Sequence, residues 1–397
     1  MKRLAIGLLG LMACGQGMAD DAGQRVAAWA PSVTPGGPAF HAQTLRMAVH
    51  PSVGGTAPQV RVSNLYGTTP LQVGHATLGL QASGASPVPG SLRPLTVGGS
   101  ASFTIPAGGE VWTDPVPVEV KVGKNLLVSL YLPDAVASST FHQDAFETTY
   151  ASADGAGDHA GDVDPAAFTE TSTHWYELSA VTVAAPKHDT LVAFGDSITD
   201  GYNTPVSANA RWPDALARRL VAGGIPLAVV DAGIGGNRVL TDVVPDVARG
   251  VSALKRFDHD VLSLPRVRTV ILLEGINDIG NNAGPDGGPL TADHLIAGYR
   301  ELIRRAHAAH IRILGGTILP YRGAGYFSED GEKTRQAAND WIRTSGEFDG
   351  VIDFDKAVRD PAQPQRLKAA YDAGDHLHPN AAGMKAMADA IDLRKVR

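Results

Sequence analysis

The sequence predicts a chain of two parts, an all-β sandwich (jelly-roll-like) followed by an α/β domain built on a parallel sheet. Three observations support this prediction. Short Val- and Leu-rich or alternating runs, separated by Gly and Pro, continue to about residue 182. Strand-like and helix-like runs alternate after residue 188. Hydrophobic residues make up 44% of the 397 residues, which is ample for the cores of more than one domain.

The charge balance and the cysteine count restrict the function. The net charge is −7 and no basic run occurs. Nucleic-acid binding depends on clustered Lys and Arg, so no nucleic-acid partner is expected. The single cysteine is Cys14. An internal disulfide and thiol chemistry are therefore excluded from the two predicted domains.

Residues 1–19 are typical of a signal peptide. A positively charged start and a short apolar run, Leu4–Met12, precede the small-x-small triplet Gly17-Met18-Ala19. Cleavage there would start the mature chain at Asp20, and the protein would be secreted or periplasmic. A second interpretation stays open, because Leu-Met-Ala before Cys14 resembles a bacterial lipoprotein box. Lipidation of Cys14 would then anchor the protein to a membrane.

The predicted sandwich spans residues 20–186, and five runs in it have the composition of strands. They are Thr44–His50, Gln59–Ser63, Ala101–Ile105, Val116–Val122 and Leu126–Leu132. Two segments, Val88–Pro94 and Asp154–Asp164, have the composition of loops.

Two groups of side chains in this region could carry a function. His and Asp residues could be imagined as a metal group, but their spacing matches no metal motif, so no metal site is predicted. Aromatic residues could form a sugar-stacking surface, although aromatics in a sandwich more often belong to the core. The first group is His142, Asp144, His159 and Asp162, and the second is Trp112, Phe141, Trp175 and Tyr176.

The α/β domain is predicted over residues 187–397, where apolar strands alternate with helical patterns. The predicted strands are Leu191–Phe194, Leu227–Val230, Arg268–Leu273, Ile311–Leu314 and Gly350–Phe354. The predicted helices are Asp214–Leu220, Ala292–Ala309, Glu332–Thr344 and Ala381–Ile391. Such alternation favours a parallel sheet covered on both faces.

Polar groups follow several of these strands, at the edge where α/β sheets bind ligands. Ser197 comes directly after the first strand, and it could act as a nucleophile or merely cap the next helix. Three glycines follow the second strand within 233–237, and Asn277 follows the third. Asp375 and His378 stand three residues apart, so a tight turn can bring both to one side. Serine, histidine and carboxylate together suit acyl transfer, with donors for the oxyanion.

These residues resemble four blocks of the SGNH hydrolases, also called the GDSL esterase/lipase family, in the family's order. The blocks are Gly195-Asp196-Ser197, with Ile198 in place of the name-giving Leu; Gly233-Ile234-Gly235-Gly236-Asn237; Gly275-Ile276-Asn277-Asp278; and Asp375-x-x-His378-Pro379. The resemblance covers roughly residues 188–395. One block alone would be weak evidence, but four in order are specific.

The resemblance implies a flavodoxin-like three-layer α/β/α fold, no metal and no dissociable cofactor. It assigns a triad to Ser197, Asp375 and His378, and an oxyanion hole to Ser197, Gly236 and Asn277. The register among the glycines is open by one residue. His376 is the obvious alternative to His378.

The predicted substrate is a small-molecule or glycan ester. Tyr202, Arg238 and Tyr321 lie in loops that could line a polar, aromatic pocket, which suits a sugar ring better than an acyl chain. We therefore expect a secreted esterase that removes small acyl groups, acetyl above all, from a carbohydrate. The alternatives are a general arylesterase or lipase, a glycan O-acetyltransferase, and a binding protein with a relic site. The oligomeric state stays open.

Overall fold

A computed structural model of the protein describes residues 24–397. The predicted signal peptide and Cys14 lie outside the described residues. None of the helices between residues 24 and 397 is long and apolar enough to cross a bilayer.

The first part of the described chain is all-β. Its strands are β1 (Arg25–Trp29), β2 (Gln43–Val49), β3 (Gly55–Asn64), β4 (Leu71–Val73), β5 (His75–Ser83), β6 (Ser86–Pro87), β7 (Arg93–Pro94), β8 (Phe103–Ile105), β9 (Gly109–Trp112), β10 (Glu119–Val120), β11 (Leu126–Leu132), β12 (Phe141–His142), β13 (Thr149–Ala151), β14 (Glu170–Ser172), β15 (Trp175–Tyr176) and β16 (Leu178–Ala184). A single 3₁₀ turn, Pro165–Ala167, interrupts them.

Two antiparallel sheets form the sandwich. One has the order β1-β16-β3-β10, with β9 also paired to β3, and the other has the order β14-β13-β2-β11-β5-β6, with β7 also paired to β5. Small two-stranded sheets, β12-β15 and β4-β8, accompany them. The two large sheets share one apolar core, to which Val60 and Val181 contribute from the first and Leu45 and Leu130 from the second. The predicted sandwich is confirmed.

The observed strand bounds agree with the predicted ones where the sequence alternates, and they differ from the predicted ones where proline or glycine interrupts the pattern. The run Val116–Val122 contributes only the two-residue strand β10. Pro117 has no N–H to donate to a sheet ladder, which explains the short pairing. The long strand β5 was not predicted, and Gly79 lies inside it. A side chain there would collide with Leu92, so the glycine lets the following loop lie against the strand.

The second part is a parallel sheet covered by helices. Its strands are β17 (Asp189–Gly195), β18 (Leu227–Gly233), β19 (Val267–Leu273), β20 (Arg312–Gly316) and β21 (Gly350–Ile352). Their spatial order, β18-β17-β19-β20-β21, is the 2-1-3-4-5 order of flavodoxin-like sheets. The predicted α/β fold is confirmed. The change of architecture falls between Ala184 and Asp189, where a boundary is predicted at residue 186.

Eight α-helices belong to the second part of the described chain: α1 (Ser197–Asp200), α2 (Trp212–Ala222), α3 (Ala253–Phe257), α4 (Ile276–Asn281), α5 (Ala292–Ala308), α6 (Glu329–Thr344), α7 (Phe354–Val358) and α8 (Ala381–Asp389). A 3₁₀ turn (Val247–Arg249) precedes α3, and a π-helical turn (Asp258–Leu262) follows it. The longest, α5, begins where the Thr291 side chain accepts the N–H of His294, and it buries an apolar face that includes Leu295, Tyr299 and Leu302.

The two parts are packed against each other through β1 and β18. Alternate residues of β1 face different cores: Val26 and Ala28 belong to the sandwich core, whereas Ala27 belongs to the core of the parallel sheet. Ala228 of β18 is buried in the sandwich core. Hydrogen bonds cross the same boundary, such as the one from the N–H of Val229 to Ser52 Oγ at 2.9 Å. The sandwich therefore covers the edge of the parallel sheet.

A histidine at this boundary should make stability depend on pH. His259 Nε2 lies 3.0 Å from Glu110 Oε2 of the sandwich, and Nδ1 lies 2.7 Å from Asp260 Oδ1. Burial opposes the charge of His259, but the two carboxylates outweigh burial and raise its pKa to about 9. A raised pKa stabilises the folded state fully below the ordinary value of 6.5, and this stabilisation is lost as the pH rises through about 9.

We predict that His259→Gln lowers the free energy of unfolding most at pH 6, and that its difference from the wild type shrinks between pH 6.5 and 9.5. The slope of that difference can reach about 1.4 kcal/mol per pH unit. Urea unfolding at several pH values measures it. The control is His307→Gln, whose exposed pair with Asp349 should matter by less than about 1 kcal/mol. A difference for His259→Gln that does not change with pH would contradict the prediction.

Candidate active site

Ser197 lies at the carboxyl end of strand β17, which is next to the edge strand β18 in the parallel sheet. The strand ends at Gly195, and Asp196 caps helix α1 by accepting the N–H of Ile198 at 3.0 Å. Ser197 is the first residue of that helix and is 6% exposed. The capping role is thus performed by Asp196, which leaves the Ser197 hydroxyl available for chemistry.

A chain of hydrogen bonds joins the three residues of the predicted triad. Ser197 Oγ lies 2.8 Å from His378 Nε2, and His378 Nδ1 lies 2.6 Å from Asp375 Oδ2. The serine and the histidine are buried, whereas the side chain of Asp375 is 38% exposed. Histidine in this position can take the serine proton, and the carboxylate fixes its tautomer.

The surroundings of Asp375 keep it ionised. Its Oδ1 accepts the backbone N–H groups of Leu377 and His378, at 3.0 and 2.9 Å. Asn203 Nδ2 donates to Oδ2 at 3.0 Å. Partial burial favours the neutral acid, but the hydrogen bonds and the charge of His378 outweigh it and hold the pKa of Asp375 well below its ordinary value. The alternative histidine, His376, bonds Asp372 instead, at 2.6 Å.

The backbone N–H groups of Ser197 and Gly236 meet no acceptor among the described residues. In the same loop, the N–H groups of Ile234, Gly235 and Asn237 are all bonded within the protein. Gly236 has a φ of +77°, a conformation that L side chains rarely adopt. Of the neighbouring glycines, Gly236 is therefore the one whose N–H is available to an oxyanion, in the register of the prediction.

Asn277 is held in place by its own amide. Its Nδ2 donates to the carbonyl of Asn237 at 2.9 Å, and its Oδ1 accepts from the Tyr326 hydroxyl at 3.4 Å. The amide nitrogen has a second hydrogen, which remains for a ligand. These bonds orient the Asn277 side chain before any substrate arrives.

The buried guanidinium of Arg256 joins the carboxyl ends of the strands. It donates to the carbonyls of Gly195 and Ala232, each at 2.8 Å, and to Asn237 Oδ1 at 2.9 Å. It also pairs with Asp260 at 2.9 Å and lies 3.4 Å from Glu274. Sequence reasoning did not find Arg256, because nothing in its local pattern distinguishes it from a solvent-facing helix arginine.

Three buried carboxyl groups interact with one another at this edge of the sheet, and two of them, Glu274 and Asp196, also interact with Arg256. Burial raises the pKa of Glu274 to about 8, that of Asp196 to about 7 and that of Asp278 to about 6. Asp278 accepts the N–H groups of Val239 and Leu240, at 2.8 and 3.1 Å, and so holds the loop that follows Asn237. These groups support the loops; none of them bonds Ser197 or His378.

The predicted substrate residues occupy different environments. Tyr202 is 38% exposed, and its ring centroid lies 4.6 Å from that of His378. Arg238 is half-buried, and its Nε meets no partner among the described residues. The predicted substrate contact of Tyr321 is wrong. Tyr321 is fully buried and its ring packs on Tyr326 and Phe327, so it cannot contact a substrate directly. Tyr326, whose hydroxyl bonds Asn277, lies beside the site where Tyr321 was expected.

The sandwich also reaches the site, which sequence reasoning missed. The segment of residues 142–148, here called the interface loop, contributes His142 against Asp200 and Phe146 against Tyr202. The His and Asp residues considered as a metal group are distributed over separate pairs: His159 bonds Asp162, and Asp144 lies near Arg249. Between residues 24 and 397, no cluster of three or more potential ligands is placed to hold a metal.

The aromatic residues of the sandwich mostly belong to its core, as the sequence favoured. Phe141, Trp175 and Tyr176 are buried, whereas Trp112 is 37% exposed and lies beside the guanidinium of Arg61. A continuous aromatic platform is therefore absent from these four positions.

Comparison with known proteins confirms the resemblance. Residues 193–386 match the model of the GDSL-like Lipase/Acylhydrolase family, and this part of the chain is a GDSL-like domain of an ester-hydrolysing serine hydrolase. No curated protein matches the chain in sequence.

Solved structures resemble about half of the chain. A GDSL-like lipase from Bacteroides thetaiotaomicron is 20% identical, with 52% of this chain and 87% of that chain covered and a TM-score of 0.38. An acetyl xylan esterase from Geobacillus stearothermophilus is 21% identical, with 52% and 94% covered and a TM-score of 0.39.

Removing the Asn277 amide should slow catalysis without weakening substrate binding. We predict that Asn277→Ala lowers kcat by about 100- to 1,000-fold with little change in KM, because the donor acts on charge that develops in the transition state. Steady-state kinetics on a chromogenic ester measures this. Asn281→Ala, at the exposed end of the same helix, is the control and should stay near wild-type activity. A loss confined to KM would argue against the oxyanion role.

Arg256 should matter mainly to the fold of the site. Arg256→Met removes the buried cation that pairs with Asp260 and donates to the carbonyls of Gly195 and Ala232, so we expect a loss of about 3–5 kcal/mol in the free energy of unfolding. Urea denaturation measures it. Arg300→Met breaks the exposed pair with Glu347 and should cost less than about 1 kcal/mol. Equal losses in the two variants would contradict the assignment.

Proposed function

We propose that the protein is a secreted serine esterase that hydrolyses small acyl esters, acetyl esters above all, on a carbohydrate. The observation that carries the proposal is the continuous chain of hydrogen bonds from Ser197 Oγ through His378 to Asp375. Two groups can serve as oxyanion donors beside it: the Gly236 N–H, which meets no acceptor among residues 24–397, and the Asn277 amide, which Asn237 orients. Ester hydrolysis follows from the family; the triad, the small acyl group and the sugar are the proposal.

The proposed reaction has two halves. Ser197 Oγ attacks the carbonyl carbon of the ester while its proton passes to His378 Nε2, and the N–H groups of Ser197 and Gly236 and the Asn277 amide stabilise the oxyanion. The tetrahedral intermediate breaks when His378 returns the proton to the leaving sugar oxygen. Water then attacks the carbonyl carbon of the acyl-enzyme and gives a proton to His378. When the bond from that carbon to Ser197 Oγ breaks, His378 returns the proton to Ser197 Oγ and the carboxylic acid leaves.

The surroundings of the oxyanion loop support a short acyl group. The side chain of Arg249 lies directly against Gly236. The guanidinium nitrogens of Arg249 lie 3.6 Å from Asp144 Oδ2 and 3.1 Å from Asp246 Oδ2. Burying a long alkyl chain beside these charges would desolvate them without compensation. A short acyl group avoids that cost.

The aromatic side of the site supports a sugar as the alcohol. The ring of Tyr202 is partly exposed and lies next to His378. The ring of Phe146 packs edge-on against that of Tyr202, with the two centroids 5.9 Å apart. Aromatic faces bind the apolar faces of sugar rings, and polar side chains such as Arg238 can bind the hydroxyls.

The proposed location is extracellular or periplasmic, in keeping with a glycan substrate. Cleavage after Ala19 would release the protein, whereas lipidation of Cys14 would anchor it. Intact-mass measurement of the mature protein from its native host distinguishes the two, since a start at Asp20 and a lipid-modified Cys14 differ in mass.

We predict that turnover of p-nitrophenyl esters peaks at acetate and falls steeply toward palmitate, and that Ser197→Ala abolishes it. The acyl series, followed by release of acetate from acetylated glycans, is the measurement. A turnover rate that peaks at long acyl chains would contradict the proposal and indicate a lipase. Transfer of the acetyl group to a glycan instead of to water would indicate an acyltransferase. Unchanged activity in Ser197→Ala would remove the serine mechanism.

A further inference from the structure

The sandwich holds the oxyanion loop through two residues that are close neighbours in sequence, His142 and Asp144. His142 is the last residue of β12 and is 3% exposed. Its Nδ1 lies 2.7 Å from the carbonyl oxygen of Ser32, and its Nε2 lies 2.9 Å from Asp200 Oδ1. A carbonyl and a carboxylate can only accept, so both ring nitrogens donate and the ring is an imidazolium.

Asp200 connects His142 to the loop that carries the predicted oxyanion donor, Gly236. It ends helix α1, which begins at Ser197. One carboxylate oxygen bonds His142, and the other, Oδ2, accepts the N–H of Gly235 at 3.1 Å. The N–H of the next residue, Gly236, is the one that points to no acceptor among the described residues.

The second contact holds the other side of the same residue. Arg249 Nη1 lies 3.4 Å from the carbonyl oxygen of Gly235, and the same nitrogen lies 3.6 Å from Asp144 Oδ2. The carbonyl of Gly235 and the N–H of Gly236 belong to one planar peptide group and point in opposite directions. Holding the carbonyl toward Arg249 therefore turns the N–H the other way.

Gly235 itself is closely covered by the sandwich. A Cβ atom at this position would collide with Asp144 Oδ2, so a larger residue would require the Asp144 side chain to move. The loop is in turn held by the catalytic domain. Arg211 donates to the carbonyl of Ala145, and Ser207 donates its N–H to the carbonyl of Phe146 at 2.8 Å.

We propose that His142 of the N-terminal sandwich is a positioning residue for ester hydrolysis: through Asp200 it holds the N–H of Gly235, and so keeps the backbone of Gly235 in the conformation that presents the Gly236 N–H to the oxyanion. The inference rests on the proposed function in that it takes Gly236 as an oxyanion donor. It gives the sandwich a part in catalysis, besides covering the edge of the sheet.

Two substitutions at His142 separate the Asp200 contact from simple loss of the ring. His142→Gln places an amide nitrogen near the position of Nε2 and can still donate to Asp200. His142→Asn places it near Nδ1, where it can reach Ser32 but not Asp200. We expect His142→Asn to lower kcat by about 10- to 100-fold with KM changed by less than about threefold, and His142→Gln to recover much of that loss.

The matched control is another buried cation of the sandwich that crosses the same boundary. Arg61 Nη1 bonds Ser263 Oγ at 2.9 Å, next to the amino ends of the parallel strands and away from the site. Arg61→Gln should lower the unfolding midpoint while kcat stays within about threefold of the wild type. Equal losses of kcat in Arg61→Gln and His142→Asn would show general loosening of the boundary and would overturn the inference.

Binding of phenylboronic acid supplies a readout that a merely structural role would not move. Its tetrahedral adduct with Ser197 places an oxygen where the oxyanion forms, so its inhibition constant should rise in His142→Asn by a factor similar to the loss in kcat. All assays use the p-nitrophenyl ester that the wild type cleaves fastest, so a preference for long chains would alter the substrate proposal without touching this test. Wild-type kcat and wild-type boronate binding in His142→Asn would overturn the inference, while Ser197→Ala with full activity would overturn both proposals.

Discussion

The carboxyl edge of the parallel sheet depends on one buried guanidinium. Arg256 donates to backbone carbonyls at the carboxyl ends of β17 and β18 and to the side chain of Asn237, and its guanidinium carbon lies 4.0 Å from the Phe194 ring centroid. Arg is suited to this because it offers five donors in a rigid plane and stays charged when buried. The loops that carry Ser197, Gly236 and Asn277 all start from strand ends that this contact holds in place.

The same guanidinium links the sheet to the sandwich. Arg256 bonds Ser32 Oγ at 3.0 Å, and Ser32 donates to Asp260 at 2.6 Å. Ser32 also offers its carbonyl to His142, whose other nitrogen meets Asp200. A continuous polar network therefore runs from the sandwich through the strand ends to the oxyanion loop. Buried polar networks of this kind favour one arrangement because each unpaired member would be costly.

The covered edge of the sheet explains why the sandwich and the hydrolase core form one packed body. β18 is an edge strand of the parallel sheet, and β1 of the sandwich lies across it with Ala27 turned into the hydrolase core. Small residues on both strands, such as Ala27 and Ala228, allow the two sheets to approach closely. An exposed edge strand invites pairing with other chains, and the sandwich removes that exposure.

Much of the fold and of the site was predictable from the sequence for a local reason. The strands β17 to β20 contain short, continuous apolar runs bounded by polar or glycine residues, and this length and these flanking residues favour buried strands over helices. The sequence does not reveal β5, because Gly79 and small residues weaken its apolar pattern. The run Val116–Val122 pairs over fewer residues than predicted, because Pro117 has no N–H to donate to a sheet ladder. Tyr321 was placed in the pocket because a loop tyrosine beside a site has the same local sequence whether it points outward or inward.

The sequence predicts which chemical groups lie at one edge of the sheet. Parallel strands bring their carboxyl ends together, so Ser197, the glycine loop and Asn277 converge for a topological reason that local patterns reveal. The Asp375–His378 pair follows no strand, and the resemblance, not the topology, assigned it to the site. The contacts of Arg256 with the strand ends and the pairing of His142 with Asp200 appear only in the tertiary structure, because they join residues that lie far apart in the chain and share no local pattern. The burial of Tyr321 also follows from packing, since its ring lies against Tyr326 and Phe327 on the inner side of its loop.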